Sequence, residues 1–448
     1  MSVATLGPAA ALREILPRER VIDGEAARRW QVGSGSPAAV AFPASTDEAA
    51  AVLARASAEG WRVAPAGAGT WLWSGGAPQD VVLSTARMTR VVEYEPADLT
   101  ITVEAGMTHD SLVEMVGARG QWLPLDPPGR DVTVGGVAAT GALGPLAASW
   151  GGPRDLALGL RAITGDGRAF NAGGRVVKNV AGFDLVRLLV GSKGTLAFLT
   201  EVTMRLFPLP ETDQTLVARG SSLEELADAA VRTAAHLVTP AAVELLERFS
   251  PLEGKREAVL AVRVLGGKER VAAEIDMLRT ALAGSGEITT LAAPEATALW
   301  REVGDLEGGA DLALRLAIAP ARLAELVGLA REVGRMRDGH DELARSPVRI
   351  AAHAGTGALR LAAPNLRLDS GWDERWAERI DGLRRTLSWR GGTLTISRAP
   401  ATLMDQLRPN DGPTVQEELT AGLKAVFDPA GILSVDRFLL GVGPGARG

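Results

Sequence analysis

The segment PAGAGTWLWSGG, residues 65–76, sets glycines at 67, 69, 75 and 76 beside Trp71 and Trp73 with no charged side chain. Glycine lacks Cβ, so such a backbone can come close to a bulky ligand and hold an oxyanion by its N–H groups alone. A phosphate bound this way needs no lysine. Glycine pairs recur at 135–136, 151–152 and 173–174, with single glycines at 129, 141, 144, 182, 191 and 194. Several such loops separated by strands point to convergence on one extended ligand. Known phosphate motifs do not explain 65–76, because it lacks the Lys-Ser/Thr of a P-loop and no helix pattern follows its glycines. Taken alone, the segment is equally readable as a glycine-rich turn between two elements.

The chain has four histidines. His236 ends an alanine-rich helix, where an imidazolium suits the dipole, and His340 lies in the charged stretch MRDGHDELAR; both read as solvated surface. His109 lies on a predicted helix. The formal net charge of -6 leaves no basic footprint for nucleic acid. With no cysteine, the chain holds no thiolate-ligated iron–sulfur cluster, disulfide or thioether-linked cofactor. Electrons leaving it go to another chain or a diffusible acceptor.

The elements that must position these residues are short at first. A 448-residue chain, 46% hydrophobic and 23% charged, is a globular composition with room for two or three domains. Ser45 with Glu48 forms a capping box ahead of a helix over 45–59 that stops at Gly60. Strands are predicted at 61–64, 81–83, 91–95 and 99–104, then a helix over 108–119. The uncharged run 132–153 is long enough to cross a bilayer, but its six glycines and two prolines indicate a buried set of glycine-rich loops. Leu196, Phe198, Val202, Met204 and Leu206 share one parity, the pattern of a half-buried strand. Pro208 and Pro210 close that segment, which places a domain boundary near 208–213.

Beyond it the order is β-α-β-β-α-β over 214–291, then a helix near 294–303, then the same order over 311–397. Two consecutive split βαβ units predict one antiparallel sheet with helices on one face, so the fold class is α+β. The start MSVATLGPAAALREILPRER lacks a secretory apolar core, which predicts a cytoplasmic protein.

PAGAGT (65–70), TVGGVAATG (133–141), RDLALG (154–159), KNVAGFDL (178–185), GSKGTLAFLTEVTMRLFP (191–208) and FDPAGILSVDRF (427–438) together resemble the vanillyl-alcohol-oxidase, or PCMH-type, family of FAD-linked oxidoreductases. Within it they are most similar to the FAD-binding subunits of bacterial glycolate oxidase (glycolate dehydrogenase). The resemblance implies a two-subdomain FAD-binding domain over 36–210 after an N-terminal segment, 1–35. It implies a cap over 211–410 and a C-terminal segment, 411–448, that returns to the FAD domain.

The resemblance also assigns roles. Pro65, Ala66, Gly67, Ala68, Gly69 and Thr70 would cradle the pyrophosphate. Asp126, Pro127, Thr133, Gly135, Gly136, Ala139, Thr140 and Gly141 would line the flavin and ribityl chain. Gly194, Thr195 and Leu196 would approach the adenine side, and Arg437 the flavin. FAD would be non-covalent, since 65–76 carries no histidine or cysteine.

Two departures stand out. Ser434, Val435 and Asp436 replace the family's Asn-Pro-Gly, and HAGTGALR (353–360) keeps His353, Gly355 and Gly357 of a metal-binding motif but has Thr356, Ala358 and Arg360 in place of its further ligands. No metal site is expected. His353 is open to two readings, a strand end packed at a sheet edge or a general base. Arg360 and Arg398 are candidates for a substrate carboxylate. The implied activity is oxidation of a short 2-hydroxyacid, glycolate to glyoxylate. Its partners would be a second FAD subunit and an iron–sulfur subunit that hold the chain at the inner membrane face without direct insertion. A self-sufficient dehydrogenase and a subunit with structural FAD remain as alternatives.

Overall fold

The computed structural model describes residues 6–32, 35–72, 78–174, 183–237, 239–249, 252, 258–334, 348–364, 366, 372–407 and 415–434. Trp73, Lys178, His340 and Arg437 lie outside them. Strands β1 (Val21–Ile22), β2 (Ala39–Ala41), β3 (Val63–Ala66) and β4 (Val81–Ser84) form a sheet ordered β1-β2-β4-β3, with β4 parallel to both β2 and β3. β2 and β4 are buried throughout, as parallel strands covered on both faces are. The Thr46–Glu59 helix covers one face with Ala49, Val52, Leu53 and Ala56. Ser45 Oγ accepts from Glu48 N at 3.2 Å and Gly60 ends the helix at φ 69°. The capping box is shifted by one residue: the Glu48 carboxylate takes the Ala44 N–H and pairs with Arg20.

A second sheet uses β5 (Val91–Glu95) and β6 (Thr100–Glu104). After the short β7 (Gln121–Trp122) come β8 (Ala157–Thr164), β9 (Ala169–Gly173) and β10 (Ala197–Arg205), giving the antiparallel order β5-β6-β10-β8-β9, while β11 (Phe207–Pro208) pairs with β7. β10 is central and covered on both faces, a correction to the half-buried expectation. A bulge between Leu199 and Glu201 breaks its parity, so Phe198 packs with Leu53 and Ile163 while Leu199, Val202 and Met204 face the other core.

The run 132–153 is not a set of loops alone. Thr133 Oγ1 accepts from Gly136 N at 3.1 Å and caps a Val134–Thr140 helix that Gly141 ends at φ 64°. A Cβ on Gly135 would stand 2.5 Å from Ala105 Cβ, so this glycine brings helix and sheet together. Among the described residues no helix is long and apolar enough to cross a membrane.

The chain returns late to the first sheet. After the Val415–Phe427 helix, Val63 N donates to Ile432 O and Ser434 N to Val63 O, each at 2.8 Å. Lys424 Nζ donates to Thr195 O at 2.6 Å and Leu433 O at 2.7 Å and pairs with buried Asp428, pinning this return to the turn ahead of β10. Lys424→Met strands two carbonyls and a buried carboxylate. It is expected to lower stability by about 3 kcal/mol in urea unfolding.

The other large body is one antiparallel sheet of β12 (Thr212–Gly220), β13 (Ala242–Glu247), β14 (Ala258–Gly266), β15 (Glu287–Thr290), β16 (Leu312–Ala317), β17 (Arg349–His353), β18 (Ala358–Ala363) and β19 (Thr393–Arg398). Its order, β15-β12-β14-β13-β17-β18-β16-β19, joins two like-ordered halves through β13 and β17. Helices Leu223–Arg232, Lys268–Ala281, Leu323–Gly334 and Trp372–Trp389 cover one face. The expectation of helices on one face needs a correction. The Ala293–Gly304 helix packs Leu299, Trp300 and Val303 on the opposite face, against Val217, Leu246 and Ala351. Part of that side meets the first body: Ser149 Oγ donates to Pro240 O at 2.6 Å, and Leu146 packs with Ala241 and Leu265.

Candidate functional site

A cleft opens between the two sheets of the first body. Its walls are the loop after β3, Thr85 after β4, Ala105 after β6, the Val134–Thr140 helix and the start of β10. Of the predicted cofactor residues, Pro65 to Thr70, Thr133, Gly135, Gly136, Ala139, Thr140 and Gly194 line it. The glycines are there for contact. A Cβ on Gly67 would lie 2.0 Å from Thr133 Oγ1, and Gly194, at φ 73°, sits against Pro65.

Backbone donors are the cleft's polar resource. The N–H groups of Gly67, Ala68, Gly69 and Thr70 find no acceptor among the described residues. The first amides of the Val134–Thr140 helix are already spent: Val134 N on Met107 O, Gly135 N on Ala105 O, Gly136 N on Thr133 Oγ1. The loop after β3 therefore offers four consecutive free donors at an apolar cleft, which suits a diphosphate carried on a flat heterocycle. FAD fits on that observation.

Several predicted residues lie elsewhere. Thr195 is fully buried with its hydroxyl donated to Ser192 O, and Leu196 is fully buried in the hydrophobic core, because the turn before β10 points only Gly194 and Lys193 at the cleft. Lys193, which sequence reasoning missed, is flagged only by its place between Ser192 and Gly194 in GSKGT. Gly141 ends its helix against Gly191. Asp126 and Pro127 do not line the cleft, because their loop turns to the cap. A Cβ on Gly129 would meet Thr70 Cγ2 at 3.1 Å on one side, and the Asp305 carboxylate lies near the Gly129 N–H on the other.

That loop leads to a second constellation. Glu244 of β13 stands directly opposite His353 of β17. Arg360 of β18, opposite Ala351, reaches over β17 so that Nη2 lies 3.8 Å from Glu244 Oε1, with Nη1 3.5 Å from Gly304 O. Asp126 closes the group from the FAD-domain side, both its oxygens within 3.2 Å of Leu146 N. Burial pushes the Asp126 carboxyl up to about 7 against the pull of the Leu146 N–H, Arg263 and Arg360. Burial likewise raises Glu244 to about 7, with Arg360 opposing and Asp126 adding to the rise. Glu244 was missed because it sits within an apolar strand, AVELLE, and only the cap topology brings it to Arg360.

His353 is a strand end, but more than sheet packing. Its Nδ1 accepts from Gly355 N at 3.2 Å and its carbonyl takes the Gly357 N–H, which leaves the ring proton on Nε2. Nε2 is buried with no partner among the described residues. Burial, then the Arg360 charge, lowers the ring to about 4, so it is a neutral donor at pH 7. Arg398 does not join the group: β19 is the sheet edge and leaves it exposed.

The raised carboxyls set a pH dependence. They hold protons in the folded state at pH values where the unfolded chain, with carboxyls near 4, has released them. Their contribution to stability is complete below about pH 4 and is lost as pH rises through about 7. The melting temperature is expected to fall between about pH 5 and about pH 8, with a shallower fall for Glu244→Gln in differential scanning fluorimetry.

Comparison with known proteins agrees with the cleft. Residues 37–173 match the FAD binding domain model. The chain is 35% identical over 219 residues to glycolate oxidase subunit GlcD of Bacillus subtilis, covering 47% of this chain and 46% of that one. It is 39% identical over 191 residues to glycolate oxidase subunit GlcE of Escherichia coli, covering 41% and 53%. The chain thus spans about half the length of these curated relatives. The crystal structure of p-cresol methylhydroxylase with substrate bound superposes with a TM-score of 0.74 at 13% identity, over 97% of this chain and 96% of that one, a shared fold. The cofactor is FAD, and residues 37–173 match the domain that binds it, in a fold shared with p-cresol methylhydroxylase.

Proposed function

We propose that the chain is the FAD-binding subunit of a glycolate-oxidase-like dehydrogenase, oxidising a short 2-hydroxyacid such as glycolate to its oxoacid. In this reading residues 36–210 hold FAD, 211–410 cap the substrate and 411–448 close the FAD domain. The observation that carries it is Arg360, a guanidinium 15% exposed whose nearest acceptors, at 3.5 and 3.8 Å, leave its fork open beside the unpartnered Nε2–H of His353. A buried fork of this kind suits one small carboxylate held bidentately.

The bound FAD supplies the acceptor for the hydride. Arg360 anchors the substrate carboxylate, and the His353 Nε2–H holds the hydroxyl oxygen one carbon away. The loop carrying Asp126 and the end of the Ala293–Gly304 helix screen the group from water.

Two facts support partner subunits as the electron outlet. The chain has no cysteine for a cluster of its own, and two of the relatives it matches are named as subunits of a glycolate oxidase. The partners would be a second FAD subunit and an iron–sulfur subunit, holding the protein at the cytoplasmic membrane face. One observation favours a self-sufficient enzyme, since Arg360, His353 and Glu244 all come from this chain. Anaerobic mixing with glycolate or D-lactate separates the two by flavin absorbance. Bleaching by the purified chain supports self-sufficiency, bleaching only with partners supports the subunit, and none in either case overturns the 2-hydroxyacid reading.

A further inference from the structure

Glu244 is 2% exposed in a strand otherwise made of apolar residues, apart from its half-buried end at Glu247. A carboxylate buried this far is destabilising unless it is paired and hydrogen-bonded. Its Oε1 has Arg360 only at 3.8 Å, and Oε2 meets no donor among the described residues. A group kept merely to neutralise Arg360 would close into a bidentate pair. The open spacing leaves both groups available to a third.

The surrounding groups narrow its role. The neutral His353 ring carries its proton on Nε2 and its Nδ1 lone pair is taken by Gly355 N–H, so it donates. Asp126 is turned to the Leu146 N–H. Arg360 has only donors, and Arg263 is bound to Asp213. Among the described residues beside Arg360, Glu244 Oε2 is the carboxylate oxygen with no partner of its own, whereas both Asp126 oxygens are engaged by the Leu146 N–H.

We infer that Glu244 is the catalytic base, taking the hydroxyl proton of the bound 2-hydroxyacid while His353 Nε2–H holds the same oxygen. The O–H bond breaks and its proton goes to Glu244 Oε2. The Cα–H bond breaks with its electron pair, which passes to FAD, and the C=O double bond forms. The substrate is oxidised by two electrons, FAD is reduced by two, and the Glu244 proton leaves to solvent with the product. The raised Glu244 carboxyl, near 7, matches a base working at neutral pH. The inference rests on the 2-hydroxyacid reading above.

The test uses the FAD-loaded full chain, with partner subunits if reduction requires them. Glu244→Gln and Glu244→Asp are compared with wild type in anaerobic stopped-flow flavin reduction across pH, and in calorimetric titration with oxalate, an unreactive dicarboxylate. Glu244→Gln is expected to reduce at least 10²-fold more slowly at saturating substrate and to lose the rise in rate through about pH 7. Oxalate affinity should stay within threefold, and Glu244→Asp should recover part of the rate. Reduction near the wild-type rate, or a retained pH profile in Glu244→Gln, overturns the assignment and leaves the 2-hydroxyacid reading standing. Weakened oxalate binding with an unchanged saturated rate also overturns it, making Glu244 a substrate-positioning residue. A wild type that neither binds oxalate nor is reduced by any 2-hydroxyacid overturns the underlying reading and the assignment together.

Discussion

Gly67→Ala is expected to purify as folded protein without its flavin. The new Cβ would stand 2.0 Å from Thr133 Oγ1 and 2.9 Å from Thr133 Cγ2, inside a threonine whose hydroxyl already caps the Val134–Thr140 helix. Relief has two routes, and each damages the cleft. Rotating Thr133 gives up the cap, worth about 1 kcal/mol. Lifting the loop moves the N–H groups of Gly67, Ala68, Gly69 and Thr70, the four free donors at the cleft. Hydrogen bonds to a charged phosphate contribute about 1.5–3 kcal/mol each, so misaiming one or two weakens FAD binding by about 10²-fold or more. FAD titration of the apo protein measures the affinity, and a circular dichroism melt shows that the fold survives. Adding Thr133→Ala should restore part of the affinity, because it removes the obstructing atoms at the price of the cap. Gly135→Ala should admit no such rescue, since its Cβ would also meet the Ala105 carbonyl at 2.7 Å.

The contrast between these two glycines shows what was legible in the sequence. Glycine spacing located the cleft because close approach restricts a position to one residue type, and that restriction is visible without coordinates. The doubled β-α-β-β-α-β order was legible for a similar reason, each element carrying its own period. Glycine also misled: GGVAAT looked like loop, yet its glycines are helical and serve contact with Ala105. Longer-range relations were not legible. Glu244 looks like any polar residue in a strand until β13 is known to lie beside β17, and nothing in LDPPG shows that Asp126 lies near Arg360. Arg360 and Arg398 both lie on short strands, and sheet order alone separates an inner position from the exposed edge.

That separation gives the other large effect. Arg360→Gln is expected to raise KM for a 2-hydroxyacid by about 10²-fold, while Arg398→Gln, at the exposed edge, should change it less than twofold. Two charge-assisted bonds to the substrate carboxylate are lost at once, and glutamine does not replace a planar fork. The variant also leaves Glu244 and Asp126 facing each other in a buried site without the cation that opposes the rise of both. Each carboxyl is then driven further up, so the pair holds its protons at neutral pH instead of standing as bare charges. This tempers the usual loss of about 3–5 kcal/mol for breaking a buried pair, and it moves the damage from folding to chemistry, since a protonated Glu244 accepts no proton. A steady-state pH series therefore distinguishes the two arginines. Arg360→Gln should need a more alkaline medium to regain rate and should keep its high KM there, because deprotonating Glu244 restores an acceptor but not the anchor. Arg360→Lys keeps the charge and loses the fork. It should return the pH profile toward wild type while recovering only part of KM, which separates the electrostatic duty of this side chain from its geometric one.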